Sequence, residues 1–131
     1  MNKVDFPFAD LIGFNMDKME DGKSICSLEI KAQHMNPQKA VHGAVAYALA
    51  DTGMGAALFS LLNKDQYCAT IEIKISYLNP LYKGLLVCES EVIKCGKRLG
   101  YTESVLRENG IIVAKASGSF SIFNPSSTLE N

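Results

Sequence analysis

A chain of 131 residues that is 47% hydrophobic and 21% charged has the make-up of an ordinary soluble globular protein with room for one core. With 13 Lys and Arg against 14 Asp and Glu, the formal net charge is −1 and there is no Trp, which leaves neither a basic field nor an aromatic platform for nucleic acid. Cys26, Cys68, Cys88 and Cys95 form no CxxC pair, and His34 and His42 lack zinc-like spacing to them, so free thiols in a reducing, cytoplasmic compartment are expected.

The first 14 residues, MNKVDFPFADLIGF, are interrupted by Pro7 and two Asp and hold no continuous apolar run, so no signal peptide is expected. Pro7 to Gly13 reads as a short helical turn. Phe14–Glu20 and Ser24–Ala32 read as two strands, joined where Asp21-Gly22 gives a strong hairpin signal. Gln33–Ala40 is a loop broken by Asn36-Pro37. Val41–Leu62 is then almost wholly apolar and reads as a long helix ending near Asn63. Its length approaches the roughly 20 residues of a membrane span. Yet it carries Asp51, Thr52, Gly53, Gly55 and Ser60, and an acid at the bilayer centre costs roughly 2.5 kcal/mol or more. A buried helix in a protein that does not enter the membrane is the expectation.

Strands follow in quick succession. In ATIEIKISYL the alternation places Ile71, Ile73, Ile75 and Tyr77 on one face and Thr70, Glu72, Lys74 and Ser76 on the other. Gly84–Cys95, Leu99–Glu108 and Ile111–Phe123 are three more strands, linked by hairpin-like turns at Gly96-Lys97-Arg98 and Asn109-Gly110. Without repeat or linker, residues 1–131 read as one domain with a core over about 6–123 and a frayed tail over 124–131. A helix that is apolar nearly all round cannot lie on a surface, so it must be wrapped. The fold class expected is α+β, an antiparallel sheet curved around one long central helix.

Asn36-Pro37, His42-Gly43 and then Leu49-Ala50-Asp51-Thr52 resemble the signature of hotdog-fold acyl-CoA thioesterases of the phenylacetate-degradation (PaaI-like) type. Thr70–Pro80 followed by Gly84, and Val113–Phe120, are similar to later strands of that family. The resemblance implies a hotdog fold, a homodimer that often pairs into a homotetramer, and active sites in the dimer interface. It implies hydrolysis of an acyl- or aryl-CoA thioester to acid and free thiol, with no metal or other cofactor.

The spacing fits that chemistry. Asp51 lies eight residues beyond Gly43, roughly 12 Å along a helix, so one carbonyl cannot touch both in a single chain. Two such helices packed antiparallel across a two-fold axis would bring the start of one to the middle of the other. Gly43 would offer an unsatisfied amide at the positive end of the helix to the thioester oxygen. Asp51 would act either as general base to a water or as nucleophile. Its plain alternative is a buried structural acid bonded to a hydroxyl. His42 is either a base or, as we favour, a positioning residue. Asn36 either turns the chain before Pro37 or, as its family counterpart implies, helps hold water or carbonyl. Thr70 is either an ordinary strand residue or a holder of the water.

For the CoA phosphates no Gly-rich loop is present. The resemblance points instead to basic turns: Lys94, Gly96, Lys97 and Arg98 at a hairpin tip, and Lys83 with Gly84. Each charge is otherwise a solvated hairpin side chain. Three rival readings fit the residues less well. A hotdog hydratase would pair its Asp with a nearby His, and none follows Asp51. A fatty-acid dehydratase would need a Glu after His42 on this helix. A non-catalytic acyl-CoA-binding protein has no need of Asp51.

Overall fold

Residues 5–125 are described by the computed structural model. The elements in chain order are α1 (Pro7–Ile12), β1 (Phe14–Glu20), β2 (Lys23–Glu29), a 3-10 turn at Ala32–His34, α2 (Gly43–Phe59), β3 (Tyr67–Tyr77), β4 (Leu85–Cys95), β5 (Leu99–Glu108) and β6 (Ile111–Phe123). The strands form one antiparallel sheet in the order β1-β2-β4-β5-β6-β3. The sheet curves around α2, as expected of a hotdog fold. No helix among the described residues is long and apolar enough to cross a membrane. Of the expected frayed tail, residues 126–131 lie outside the described residues.

Both Asp21-Gly22 and Asn109-Gly110 turn with two successive positive φ angles, 53° and 77° in the first and 50° and 77° in the second. That is the mirror-image turn whose twist matches a right-handed strand pair. The long helix is shorter at both ends than the apolar stretch. His42 caps its start, and at its end Ser60 Oγ donates to the Ala57 carbonyl and accepts from the Gly22 N–H, both within 2.8 Å. Strand β2 stops at Glu29, three residues early, and the chain turns at Ala32–His34.

Helix α2 turns one face to the sheet, with Leu49, Met54 and Leu58 fully buried on it. Each such side chain contributes about 1.5–3 kcal/mol by leaving water. Ala46, Ala50, Gly53 and Ala57 lie on the same face and let the strands approach. Beneath them the sheet presents hydroxyls. Ser24 Oγ donates to the Gly53 carbonyl at 2.6 Å, and Ser90 and Ser104 bond to each other at 2.6 Å. The opposite face of α2 is not covered: Ala44, Tyr47 and Phe59 are exposed, and Ala48, Asp51 and Gly55 are half-buried.

Strand β3 departs from simple alternation. Its register against β6 runs Thr70↔Phe120 and then Glu72↔Ser119, so Ile71 is an extra residue in a β-bulge. Thr70 therefore joins Ile73, Ile75 and Tyr77 on the helix side, and Ile71 turns out, 55% exposed. This reverses the faces expected for Thr70 and Ile71, because a bulge resets the two-residue period.

A Cβ on Gly53 would sit 2.6 Å from Ser90 Oγ, where the sheet presses directly on the helix backbone. Gly53→Ala should lower unfolding stability by about 1–3 kcal/mol in urea titration. An unchanged midpoint would mean that helix and sheet are less tightly fitted there.

Candidate active site

The bulge at Ile71 brings Thr70 to the uncovered face of α2, where Thr70 Oγ1 donates to Asp51 Oδ1 at 2.7 Å. Asp51 thus has a hydroxyl partner, and it is half-buried rather than enclosed. One carboxylate oxygen is engaged and Oδ2 remains as an acceptor. Around it lie Ala48 and Gly55, small residues that leave open space on that face.

At the other end of the same face is the start of the helix. His42 Nδ1 accepts from the Ala44 N–H at 2.9 Å, and the His42 carbonyl accepts from the Val45 N–H at 3.0 Å. His42 is therefore an N-cap, doing with a ring nitrogen what Ser or Asp usually does with oxygen. Gly43 is the first helical residue, and its N–H has no partner among the bonds found for the described residues. Tyr77 Oη donates to the Gly43 carbonyl at 2.7 Å. A cleft of about 360 Å³ opens here, lined chiefly by apolar groups, among them Val41, Tyr77, Leu81 and Val113, together with His42 and Gly43.

Asn36 holds its own loop. Its Oδ1 accepts from the N–H groups of Gln38 and Ala40, at 2.9 and 3.2 Å, and its own N–H donates to the Ala40 carbonyl at 2.7 Å. His34, which the sequence reading left unassigned, is buried behind this loop. Its Nδ1 accepts from the Lys31 N–H at 2.9 Å, so Nε2 is the nitrogen that donates, to the Ile12 carbonyl at 2.6 Å. The His34 carbonyl in turn accepts from the His42 N–H at 2.8 Å. A buried imidazole thus ties the α1–β1 junction to the helix cap. A histidine among loop residues carries no periodic signal that would have pointed to it.

The two groups of CoA-binding candidates are far apart. Lys94, Gly96, Lys97 and Arg98 border a cavity of about 480 Å³ together with Tyr101 and Ser119. Lys83 and Gly84 precede β4, at the opposite end of that strand, roughly 35 Å away at strand rise. In one chain a single nucleotide cannot contact both. The hairpin lies near the end of α2, since the side-chain space of Gly100 is occupied by Leu58. Lys83 and Gly84 lie toward its start, where the Val41 N–H donates to the Leu81 carbonyl.

All four cysteines are free. Cys26 and Cys88 are buried in the core, while Cys68 is half-buried and Cys95 is exposed on the hairpin. Burial, with the neighbouring Cys88 and Asp17 adding to it, pushes the Cys26 thiol from 9.0 up to about 12. Burial pushes Cys88 up to about 11 against the opposing bonds from Ser90 and Ser104. Burial, then the charge of Asp51, raises Cys68. Such thiols are poor nucleophiles near neutral pH.

An antiparallel six-stranded sheet around one helix, with a carboxylate on the helix's open face, defines a hotdog protein. The pattern of the Thioesterase superfamily matches residues 38–113, and the chain belongs to that family. The family expected from the His42-Gly43 and Asp51 motifs is therefore borne out. The chain is similar to a Saccharolobus solfataricus protein named "Putative esterase SSO2140", 28% identical over 89% of this chain and 81% of that one. Among solved structures it is similar to the conserved protein PA5202 of Pseudomonas aeruginosa, with 28% identity, a TM-score of 0.86, and coverage of 88% of this chain and 93% of the other. It shares its fold with the PaaI protein of the phenylacetic acid degradation operon of E. coli, at a TM-score of 0.84 and 22% identity over 91% of this chain and 86% of that one.

The thiols give a test in two parts. At pH 8 a disulfide reagent should label Cys95 rapidly and reach Cys26 and Cys88 only after unfolding, and Cys95→Ser should remove the fast phase. Stability held below about pH 9 should fall as pH rises toward 11–12, because the unfolded thiols ionise first while the folded ones keep their protons. Rapid labelling of Cys26 in the folded protein would contradict the buried core position.

Proposed function

We propose that this thioesterase-superfamily chain hydrolyses an acyl- or aryl-CoA thioester, in a site shared between two copies. The observation that carries this reading is the pair formed by Asp51 and Thr70 on the uncovered face of α2, eight residues from a helix-start amide that is free to donate to an oxyanion. An acid is an uncommon choice in an otherwise apolar helix, and this one stands on the face that the sheet leaves open.

The sequence separation of Gly43 and Asp51, roughly 12 Å along the helix, assigns them to different sites within one chain. A second copy joins them. The open face of α2 lies beside β3, an edge of the sheet, where Tyr67 and Ile71 are more than half exposed. An uncovered edge with apolar side chains favours strand pairing with another copy. With the helices antiparallel, Gly43 of one copy meets Asp51 of the other. The same arrangement brings the basic hairpin, near the end of one helix, toward the start of the other, where the nucleotide of CoA needs cations. Two such dimers would give the homotetramer.

In the reaction, Oδ2 of Asp51 takes a proton as water attacks the thioester carbon. Thr70 holds Oδ1 and so fixes the plane of the carboxylate. The negative charge that forms on the carbonyl oxygen is stabilised by the Gly43 N–H and the positive end of the helix. Collapse breaks the carbon–sulfur bond, and the thiolate of CoA takes up the proton. The same geometry serves direct attack by Asp51, which would form an anhydride that water then opens. His42 acts by capping the helix start, and Asn36 by shaping the loop before it.

Thiol release from a panel of acyl-CoA esters tests this reading. The wild type should hydrolyse at least one of them, and Asp51→Asn should lose about 100-fold or more in kcat with binding intact. Equal rates would remove Asp51 from the chemistry. Thermal stabilisation by acyl-CoA without turnover would identify a binding protein instead. Thr70→Val should lose about tenfold in kcat and Thr70→Ser should recover most of it. Light scattering should report a dimer or a multiple of it, and an active monomer would exclude the shared site.

A further inference from the structure

Gly43 is the first residue of α2, and its φ lies outside the left-handed region, so the backbone there does not require glycine. What occupies the space of its missing side chain is Tyr77: a Cβ on residue 43 would lie 3.0 Å from both the ring carbon Cζ and the hydroxyl oxygen. That hydroxyl donates to the Gly43 carbonyl at 2.7 Å. The ring thus rests against a bare Cα and is bonded to the carbonyl of the same residue. Tyr77 is 53% exposed, so burial of its ring does not account for the contact. It is the last residue of β3, the strand that also supplies Thr70.

Glycine at the first position of a helix leaves the backbone with excess freedom. An amide meant to stabilise an oxyanion must be aimed before the charge forms, since reorganisation during the reaction weakens the effect. The two demands conflict unless another group restrains the glycine. We propose that Tyr77 is a positioning residue for the Gly43 amide: its hydroxyl and ring together hold residue 43 so that the N–H is aimed at the thioester oxygen in advance. This rests on the reading of Gly43 given above. Burial and the neighbouring Tyr47 phenol raise the Tyr77 pKa from 10.0, which keeps the hydroxyl a donor through neutral pH.

Tyr77→Phe removes the hydroxyl and keeps the ring. In the intact protein, kcat for the best thioester of the panel should fall about tenfold while KM changes less than about twofold, because the lost aim matters only once charge develops. The pH profile should keep its shape, since Asp51 is untouched. Amide exchange at Tyr47, whose helical bond goes to the same Gly43 carbonyl, should quicken about fivefold. Ser27→Ala, which removes a surface hydroxyl bonded to Asp17 on β2, beside the far edge of the sheet, serves as control and should leave kcat unchanged. An unchanged kcat in Tyr77→Phe overturns the proposal, whatever happens to exchange. So does an equal loss in both variants. Absence of wild-type turnover defeats the reading of the site as a hydrolase, and the positioning role with it. A hydrolytic wild type with an unaffected Tyr77→Phe defeats only the positioning role.

Discussion

The close approach of sheet and helix governs the rest of the molecule. Four small residues, Ala46, Ala50, Gly53 and Ala57, line the inward face of α2, and the Ser24 hydroxyl bonds directly to a helix carbonyl in the gap they leave. Larger side chains would push the sheet outward and flatten its curve. A tightly curved sheet covers only part of the helix, however, and β1 and β3 end as separate edges. The remaining face is left open beside β3. Asp51, an acid that would be costly inside the wrap, sits on that open face, where water and Thr70 both reach it.

Much of this was legible in the residues. The two Asn-Gly and Asp-Gly turns, the antiparallel run and the long apolar segment determined the fold class without reference to any other protein. The positions of Gly43 and Asp51 on one helix were also legible, and on the proposed reading of their roles the helical rise between them calls for two copies. What the pattern could not show was the bulge at Ile71. Alternation read through ATIEIKISYL puts Thr70 on the wrong face, and only the strand register against β6 reveals the extra residue. The error matters, because the corrected face is the one that pairs Thr70 with Asp51. Helix ends were also misread, since His42 and Ser60 terminate the helix through side-chain bonds inside a stretch that stays apolar.

The polar loop before the helix shows how a tight frame is built from groups that look unrelated in sequence. His34 joins the Ile12 carbonyl to the Lys31 N–H, its carbonyl receives the His42 N–H, and the His42 ring caps Ala44. Asn36 closes the turn between the two histidines. Each bond is of ordinary strength, about 0.5–1.5 kcal/mol net. Their joint effect is to fix the direction in which the chain enters the helix, and therefore the direction of the first amides.

That frame sets the start of the helix apart from its middle. The start is held by polar bonds from a loop and from Tyr77, while the middle is held by apolar packing against the sheet. An amide needs a fixed aim, whereas a carboxylate needs a fixed plane and room for water. The first condition is met where side-chain caps converge and the second where small residues and an open face meet. A single straight helix cannot bring its own start and middle together, so the proposed reaction, which uses both, calls for a second helix running the other way.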